Sequence, residues 1–386
     1  MPVVRLNAVL VLAIAALGVA MGEWLRRRVP LLVRWSIPAP IAGGLVYAAL
    51  LLALRDRVVN VEVDTVLRDL LMVAFFTSIG MSASWKVVRA GGPQVLLFLL
   101  LATAGAALQN ALGIGLAHAF GVNPLVGIVS GAVALAGGPA TSLAFGNTFE
   151  KLGLPGAATL GLASATFGIL AAGVLAGYRG ASFARRLSGG GAPCTRLDTG
   201  RPGGPLLPAI LVMSVAMGAG YLISSAIERG GVVLPGYIGA MIAAAILRNI
   251  DDRRHFLRLD PAQVSTLGNA ALSLFIVMAL LTLKLWELAR LALPMLAMLL
   301  AQTVLVWLLC VAVFRMMGRD YEAAVMSAGY CGFMLGTTAN SLAAMDELER
   351  EFGAAPRAFV VVPLVGGFLI DFTNALVITV CANLVK

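Results

Sequence analysis

Long runs of apolar residues, each closed by a short polar segment, set the rhythm of this chain. A helix needs about 20 apolar residues to cross about 30 Å of hydrocarbon. Such runs lie near 6–25, 37–54, 66–85, 93–119, 156–178, 206–228, 233–250, 264–283, 291–314 and 358–383. Two further stretches, 122–150 and 319–348, are apolar but interrupted by glycine and small polar residues. Non-helical backbone at membrane depth must be covered by protein or line a watery cavity. Each interrupted stretch is therefore predicted to enter and leave on one side, as a re-entrant hairpin. The pattern predicts an all-α integral membrane protein with ten spans and two hairpins. Arg26, Arg27 and Arg28 follow the first apolar run instead of preceding it, the wrong polarity for a secretory leader. That run reads as a first span.

Composition narrows the class. Hydrophobic residues make up 60% of the 386 positions and charged residues 12%, against about 45–50% and about 25% in soluble domains. The mean hydropathy is +0.94. These values exclude a soluble enzyme, a secreted disulfide scaffold and a disordered chain. The net charge of +9 reads as arginine-rich cytoplasmic loops and not as a nucleic-acid surface. With the N-terminus outside, 19 of the 28 Lys and Arg residues fall on the inner side. Both termini are then expected outside and the polar segment 179–205 in the cytoplasm. Cys310, Cys331 and Cys381 lie in apolar runs and Cys194 in a polar loop, so no disulfide is expected.

An internal repeat emerges at an offset near 200 residues. Pro38 and Ile41 match Pro235 and Ile238, Phe75 matches Phe275, Pro93 matches Pro294, and Gln109 matches Gln302. In the hairpins Gly121, Ser130 and Thr141 match Gly318, Ser327 and Thr338. The expected division is 1–178, a linker 179–205, and 206–386. Each half has five spans and one hairpin, and an odd number makes the second half run inverted. Two five-helix repeats of this kind, each with a broken segment, point to a secondary transporter with its site at the repeat interface.

The hairpin tips carry AGGPATSLAFGN (136–147) and CGFMLGTTANS (331–341). Glycine lets backbone approach a ligand, and hydroxyls supply donors and acceptors at low desolvation cost. Broken helices also expose N–H groups that bind carboxylates. Gly138, Thr141, Ser142, Gly336, Thr337, Thr338, Asn340 and Ser341 are the candidate substrate residues. Asp371 sits within the last span, where an aspartate costs roughly 2.5–3.5 kcal/mol on insertion scales and needs a partner. Na⁺, a proton or backbone N–H groups would serve. Asn374, Gln109 and Asn110 add oxygens suited to Na⁺ beside Asp371. Arg68 and Asp69 read as an interfacial ion pair. His118 and His255 stand alone, and no Walker loop, HExxH pattern or GxSxG elbow is present. An ATP-driven pump or an enzyme would lack its machinery.

Seven stretches together resemble the bacterial sodium/glutamate symporter family across nearly the whole chain. They are IPAPIAGG (37–44), LRDLLMVAFFTSIG (67–80), LQNALGIG (108–115), SLFIVMALLTLKLWELARLALPMLA (273–297), RMMGRDYEAAVMSAG (315–329), CGF (331–333) and VVPLVGGFLIDFTNALVI (361–378). The resemblance implies Na⁺-coupled uptake of L-glutamate across the bacterial inner membrane and periplasmic termini. It also implies a homodimer in which a transport domain moves against a scaffold, as in elevator carriers. Departures gather around the hairpins. The family's Gly-Gly-His-Gly-Thr is Gly137, Gly138, Pro139, Ala140, Thr141; its histidine before CGF is Tyr330. Its Gly-Ala-Thr-Pro-Thr-Ala is Gly336, Thr337, Thr338, Ala339, Asn340, Ser341. A different amino acid or carboxylate as cargo, and a cation/proton antiporter using Asp371, stay open as alternatives.

Overall fold

The structure, a computed structural model, describes residues 3–30, 32, 37–54, 60–90, 92–185, 187, 206–229, 235–254, 260–282 and 292–385. Most of the 179–205 linker, with Cys194, lies outside the described residues, as does His255. The chain divides into two compact units, and each draws on both halves of the sequence: 1–81 with 201–289, and 82–200 with 290–386.

The first unit contains β1 (Val3–Leu6), α1 (Ala8–Arg28), α2 (Ala39–Leu54), β2 (Asn60–Val63) and α3 (Val66–Ser82). Among the segments beyond residue 201 the described elements are α9 (Leu207–Arg229), α10 (Gly236–Arg254) and α11 (Pro261–Leu281). Small residues let membrane helices approach until backbones touch. A Cβ on Gly22 would run into the Ala39 carbonyl, and one on Gly43 into that of Gly18, so α1 and α2 pack backbone to backbone. Helices α9 and α10 repeat the device, with Gly239 against the Gly220 carbonyl. There Ser224 Oγ also donates to Gly236 O (3.0 Å) and accepts from Gly239 N (3.2 Å). The partners then cross over. Gly44 of α2 meets Leu280 of α11, while Gly80 of α3 meets the Met241 carbonyl of α10, where Phe76 stacks on Tyr237 at 4.0 Å. The Arg68–Asp69 pair expected from sequence is present, at 2.7 Å.

Two short strands were not foreseen in an all-α reading. β1 and β2 pair in parallel, Val3 with Asn60 through Leu6 with Val63, and the Arg5–Glu62 ion pair (2.8 Å) lies across them.

The second unit contains α4 (Trp85–Ala90), α5 (Gly92–Ala119), a first hairpin, α8 (Ala157–Ala184), α12 (Ala292–Met316), a second hairpin and a final broken helix. The first hairpin is α6 (Pro124–Ile128) with a π-helical extension Val129–Val133, followed by α7 (Gly138–Lys151). The second is α13 (Tyr321–Leu335) and α14 (Thr338–Phe352). The final helix runs as α15 (Pro356–Leu364), a π segment Val365–Leu369 and α16 (Ile370–Leu384), with Pro363 inside it just before the π segment. Proline removes one intrahelical hydrogen bond, and a π turn accommodates the irregularity.

Helices occur at all ten predicted spans. Among the described residues seven are long and apolar enough to cross a membrane: α1, α5, α8, α9, α11, Leu293–Met316 and Pro356–Leu384. The protein is a multi-pass helical membrane protein. One boundary needs correction: α8 continues to Ala184, so Arg179 belongs to the helix and not to the linker. Its guanidinium lies over the rings of Trp307 (4.1 Å) and Phe183 (4.6 Å), and Nη2 donates to Trp307 O (3.1 Å). Two aromatic faces make an arginine tolerable there.

Candidate functional site

The first hairpin is broken where glycine permits it. Gly131 leaves the helix (φ −100, ψ −127), and Gly138 enters the second arm at φ +67, a left-handed conformation that costs a β-carbon-bearing residue about 1–2 kcal/mol. Leaving the helix frees backbone groups that must find partners inside the protein. Two asparagines from distant helices supply them. Ala132 N donates to Asn110 Oδ1 on α5 (3.1 Å), and Ala132 O accepts from Asn374 Nδ2 on α16 (3.0 Å) and from Gly137 N (2.9 Å).

The second hairpin is tied by its own sequence and its immediate neighbours. Gly336 breaks the chain (φ −140, ψ −105), and Thr337 caps α14 by accepting from Asn340 N. Thr337 Oγ1 also donates to Asn340 Oδ1 (2.8 Å), while Asn340 Nδ2 donates to Ile169 O of α8 (3.1 Å). Ser341 Oγ donates to Gly329 O in the opposite arm (2.7 Å), and Thr338 Oγ1 to Gly366 O of the final helix (2.7 Å). Gln109 Nε2 of α5 donates to Met334 O (3.0 Å) at the end of the first arm.

The two tips meet. A Cβ on Gly138 would lie 3.5 Å from the Gly336 carbonyl oxygen. The final helix passes both: Gly366 takes the Thr338 hydroxyl, and Asn374 takes the Ala132 carbonyl. Asp371 lies between these two contact points along the final helix, one turn before Asn374. It is half-buried and has no hydrogen bond or ion pair among the described residues. A carboxylate without a partner in an apolar helix is suited to a cation or to a ligand ammonium group.

The sequence-predicted residues separate on inspection. Asn374 and Gln109 are buried, and each uses its amide nitrogen on a backbone carbonyl, so Asn374 Oδ1 and Gln109 Oε1 remain unpaired. Asn110 behaves in the opposite sense: its oxygen is engaged by Ala132 N, and the unpaired atom is Nδ2, a donor. It is an anchor of the hairpin break and not an oxygen aimed at a cation. The Ser142 hydroxyl is turned to Gly138 O of its own helix (2.9 Å), and Thr141 packs over Gly137. Thr337 and Thr338 are half-buried, whereas Asn340 and Ser341 are buried. Tyr330 is not at a tip. It is buried beside Phe98 and Phe333, with its hydroxyl donating to Leu101 O (3.4 Å) where Gly105 makes room.

Three further buried groups, not chosen as site residues from sequence, carry unpaired oxygens: Ser130 Oγ, Ser164 Oγ and Gln302 Oε1. Ser130 and Gln302 had a visible signal, since both lie at matched positions of the repeat.

A family model for the sodium/glutamate symporter matches residues 4–187 and 203–354. The sodium/glutamate symporters of Escherichia coli (strain K12) and Shigella flexneri are each 39% identical over 392 residues, covering 97% of this chain and 97% of their own. That of Haemophilus influenzae is 32% identical over 388 residues, covering 96% of this chain and 95% of its own.

Proposed function

The chain belongs to the sodium/glutamate symporter family, and from that premise we propose that it carries L-glutamate, or a related carboxylate, into the bacterial cell together with Na⁺. The observation that carries the reading is the meeting of two broken hairpin tips, both hairpins being bonded to the final helix that carries Asp371. Substrate carboxylates are taken by N–H groups and hydroxyls where the second arms begin, at Gly138 and Thr141 and at Gly336, Thr337 and Thr338. Asn340, Ser142 and Ser341 hold those tips in shape. Na⁺ is held by Asp371, with Gln109 Oε1 as a neutral oxygen. The family transports and does not catalyse a covalent reaction, so no residue is assigned a catalytic role.

The halves 1–178 and 206–386 are read as inverted repeats. The crossed glycine contacts support this: the second helix of each half packs on the third helix of the other. Elevator movement, a homodimer and periplasmic termini in the inner membrane complete the reading. A different carboxylate is favoured by one observation, that Pro139 stands at the entry to the second arm and has no N–H to donate.

Uptake of labelled L-glutamate into proteoliposomes, with and without an inward Na⁺ gradient, tests the assignment. Gradient-dependent accumulation is expected. Equal uptake without Na⁺ would overturn the coupling, and no uptake of glutamate, but Na⁺-driven uptake of another carboxylate, would replace the cargo.

A further inference from the structure

We propose that the break in the first hairpin is a second cation site, built from the neutral oxygens of Ser130, Gln302 and Asn374 and distinct from the Asp371 carboxylate. This rests on Na⁺ being the coupled ion. Ser130 and Gln302 are fully buried and Asn374 is 1% exposed, and Ser130 Oγ, Gln302 Oε1 and Asn374 Oδ1 each have no hydrogen-bond partner among the described residues. A buried polar atom without a partner costs about 1–3 kcal/mol, so three in one region call for an occupant.

The chemistry of that occupant follows from which atoms are free. Gln302 Nε2 donates to Gln109 O (2.6 Å) and Asn374 Nδ2 to Ala132 O (3.0 Å). Turning either amide over would set oxygen against oxygen, so the free atoms are the acceptors. The groups gather on three consecutive residues. Ser130 precedes Gly131, whose Cβ would lie 3.0 Å from the Gln109 carbonyl that Gln302 also reaches, and Asn374 holds the next residue, Ala132. The first arm ends here, and a helix carries partial negative charge at its C-terminal end. Oxygens alone, at such an end, select a small hard cation and repel an anion.

The repeat supplies an internal control. Ser327, at the position matched to Ser130, donates to Cys310 O (2.9 Å) and is satisfied. The two serines share a place in the pattern but only one offers a free oxygen.

The experiment measures the thermal unfolding midpoint of the full chain in detergent against NaCl, with choline chloride holding ionic strength. A ligand that binds only the folded state raises that midpoint in proportion to its occupancy. Asp371→Asn is expected to keep a Na⁺ response, and adding Ser130→Ala to it is expected to abolish that response. In the otherwise native chain, Ser130→Ala is expected to move the half-maximal Na⁺ concentration up by about tenfold, and Ser327→Ala by less than about twofold. Gln302→Met keeps the side-chain length, removes the free oxygen and is expected to move it up as well. Complete loss of the Na⁺ response in Asp371→Asn alone would overturn the second site while leaving the symport reading intact. So would an unchanged half-maximal concentration in both Ser130→Ala and Gln302→Met. Uptake by Asp371→Asn that stays fully Na⁺-driven would instead strike at the assignment of Asp371 and leave this site standing.

Discussion

The two hairpins perform the same topological manoeuvre and are held by different means. The second keeps ties of its own, with Thr337 capping its second arm and Ser341 reaching across to Gly329, besides those it makes with Gln109, Ile169 and Gly366 of other helices. The first has no side-chain cap on its second arm, and its break is pinned from outside by Asn110 and Asn374, one from each half of the chain. A locally tied loop keeps its shape as its surroundings shift. A loop tied by remote helices reports on them, because any movement of α5 or α16 pulls on Ala132 directly. The break at Ala132 takes its side-chain ties from those two helices, whereas the second tip also keeps a cap and a cross-arm bond of its own.

The largest effect is expected at Asp371, on the final helix that bonds both hairpins. Asp371→Asn is expected to reduce Na⁺-driven uptake in proteoliposomes to background while the protein still inserts and elutes as a folded species; full Na⁺-dependent transport by that variant would end the coupling role. Next, Asn374→Leu strips one clamp from the first break and leaves the Ala132 carbonyl without its side-chain partner. A loss of about 1–3 kcal/mol is expected, read as a lower unfolding midpoint. The corresponding change at the second hairpin, Thr337→Ala, removes a cap worth about 1 kcal/mol. If the second variant proves the more damaging, the distinction between remote and local support is wrong. Gly138→Ala strains a backbone at φ +67 and is expected to cost about 1–2 kcal/mol and to slow uptake. The smallest effect is at Thr338→Val, which should weaken substrate affinity by a few-fold, about 0.5–1.5 kcal/mol, while Thr166→Val, bonded only within its own helix, should not. Equal effects at both positions would remove Thr338 from the substrate site.

Hydropathy located the helices, and glycine located the breaks, because both are properties of short stretches of chain. Asp371 stood out for the same reason: a lone acid in an apolar run is visible without any partner. The direction in which each amide spends its two ends was not legible. Asn110 and Asn374 are identical side chains near one another, yet one gives its oxygen and the other its nitrogen. The difference is set by which group of Ala132 each one meets, a fact of the fold alone. Arg179 misled for a related reason, since a charge at the end of an apolar run looks like a loop. Its tolerance inside α8 depends on Trp307, 128 positions away. The repeat did mark Ser130 and Gln302, but as matching letters. Only their unpaired oxygens turned them into chemistry.

The parallel pairing of Val3–Leu6 with Asn60–Val63 acts as a parity rule for the first two helices. Two strands can zip together only on a shared face, so the chain between residues 6 and 60 must cross the bilayer an even number of times. That fixes α1 and α2 as one out-and-back excursion, whatever the surrounding loops do. An impermeant thiol reagent would therefore find single cysteines at Val4 and Val61 on the same side, and a topology placing them on opposite sides is forbidden by the hydrogen bonds themselves.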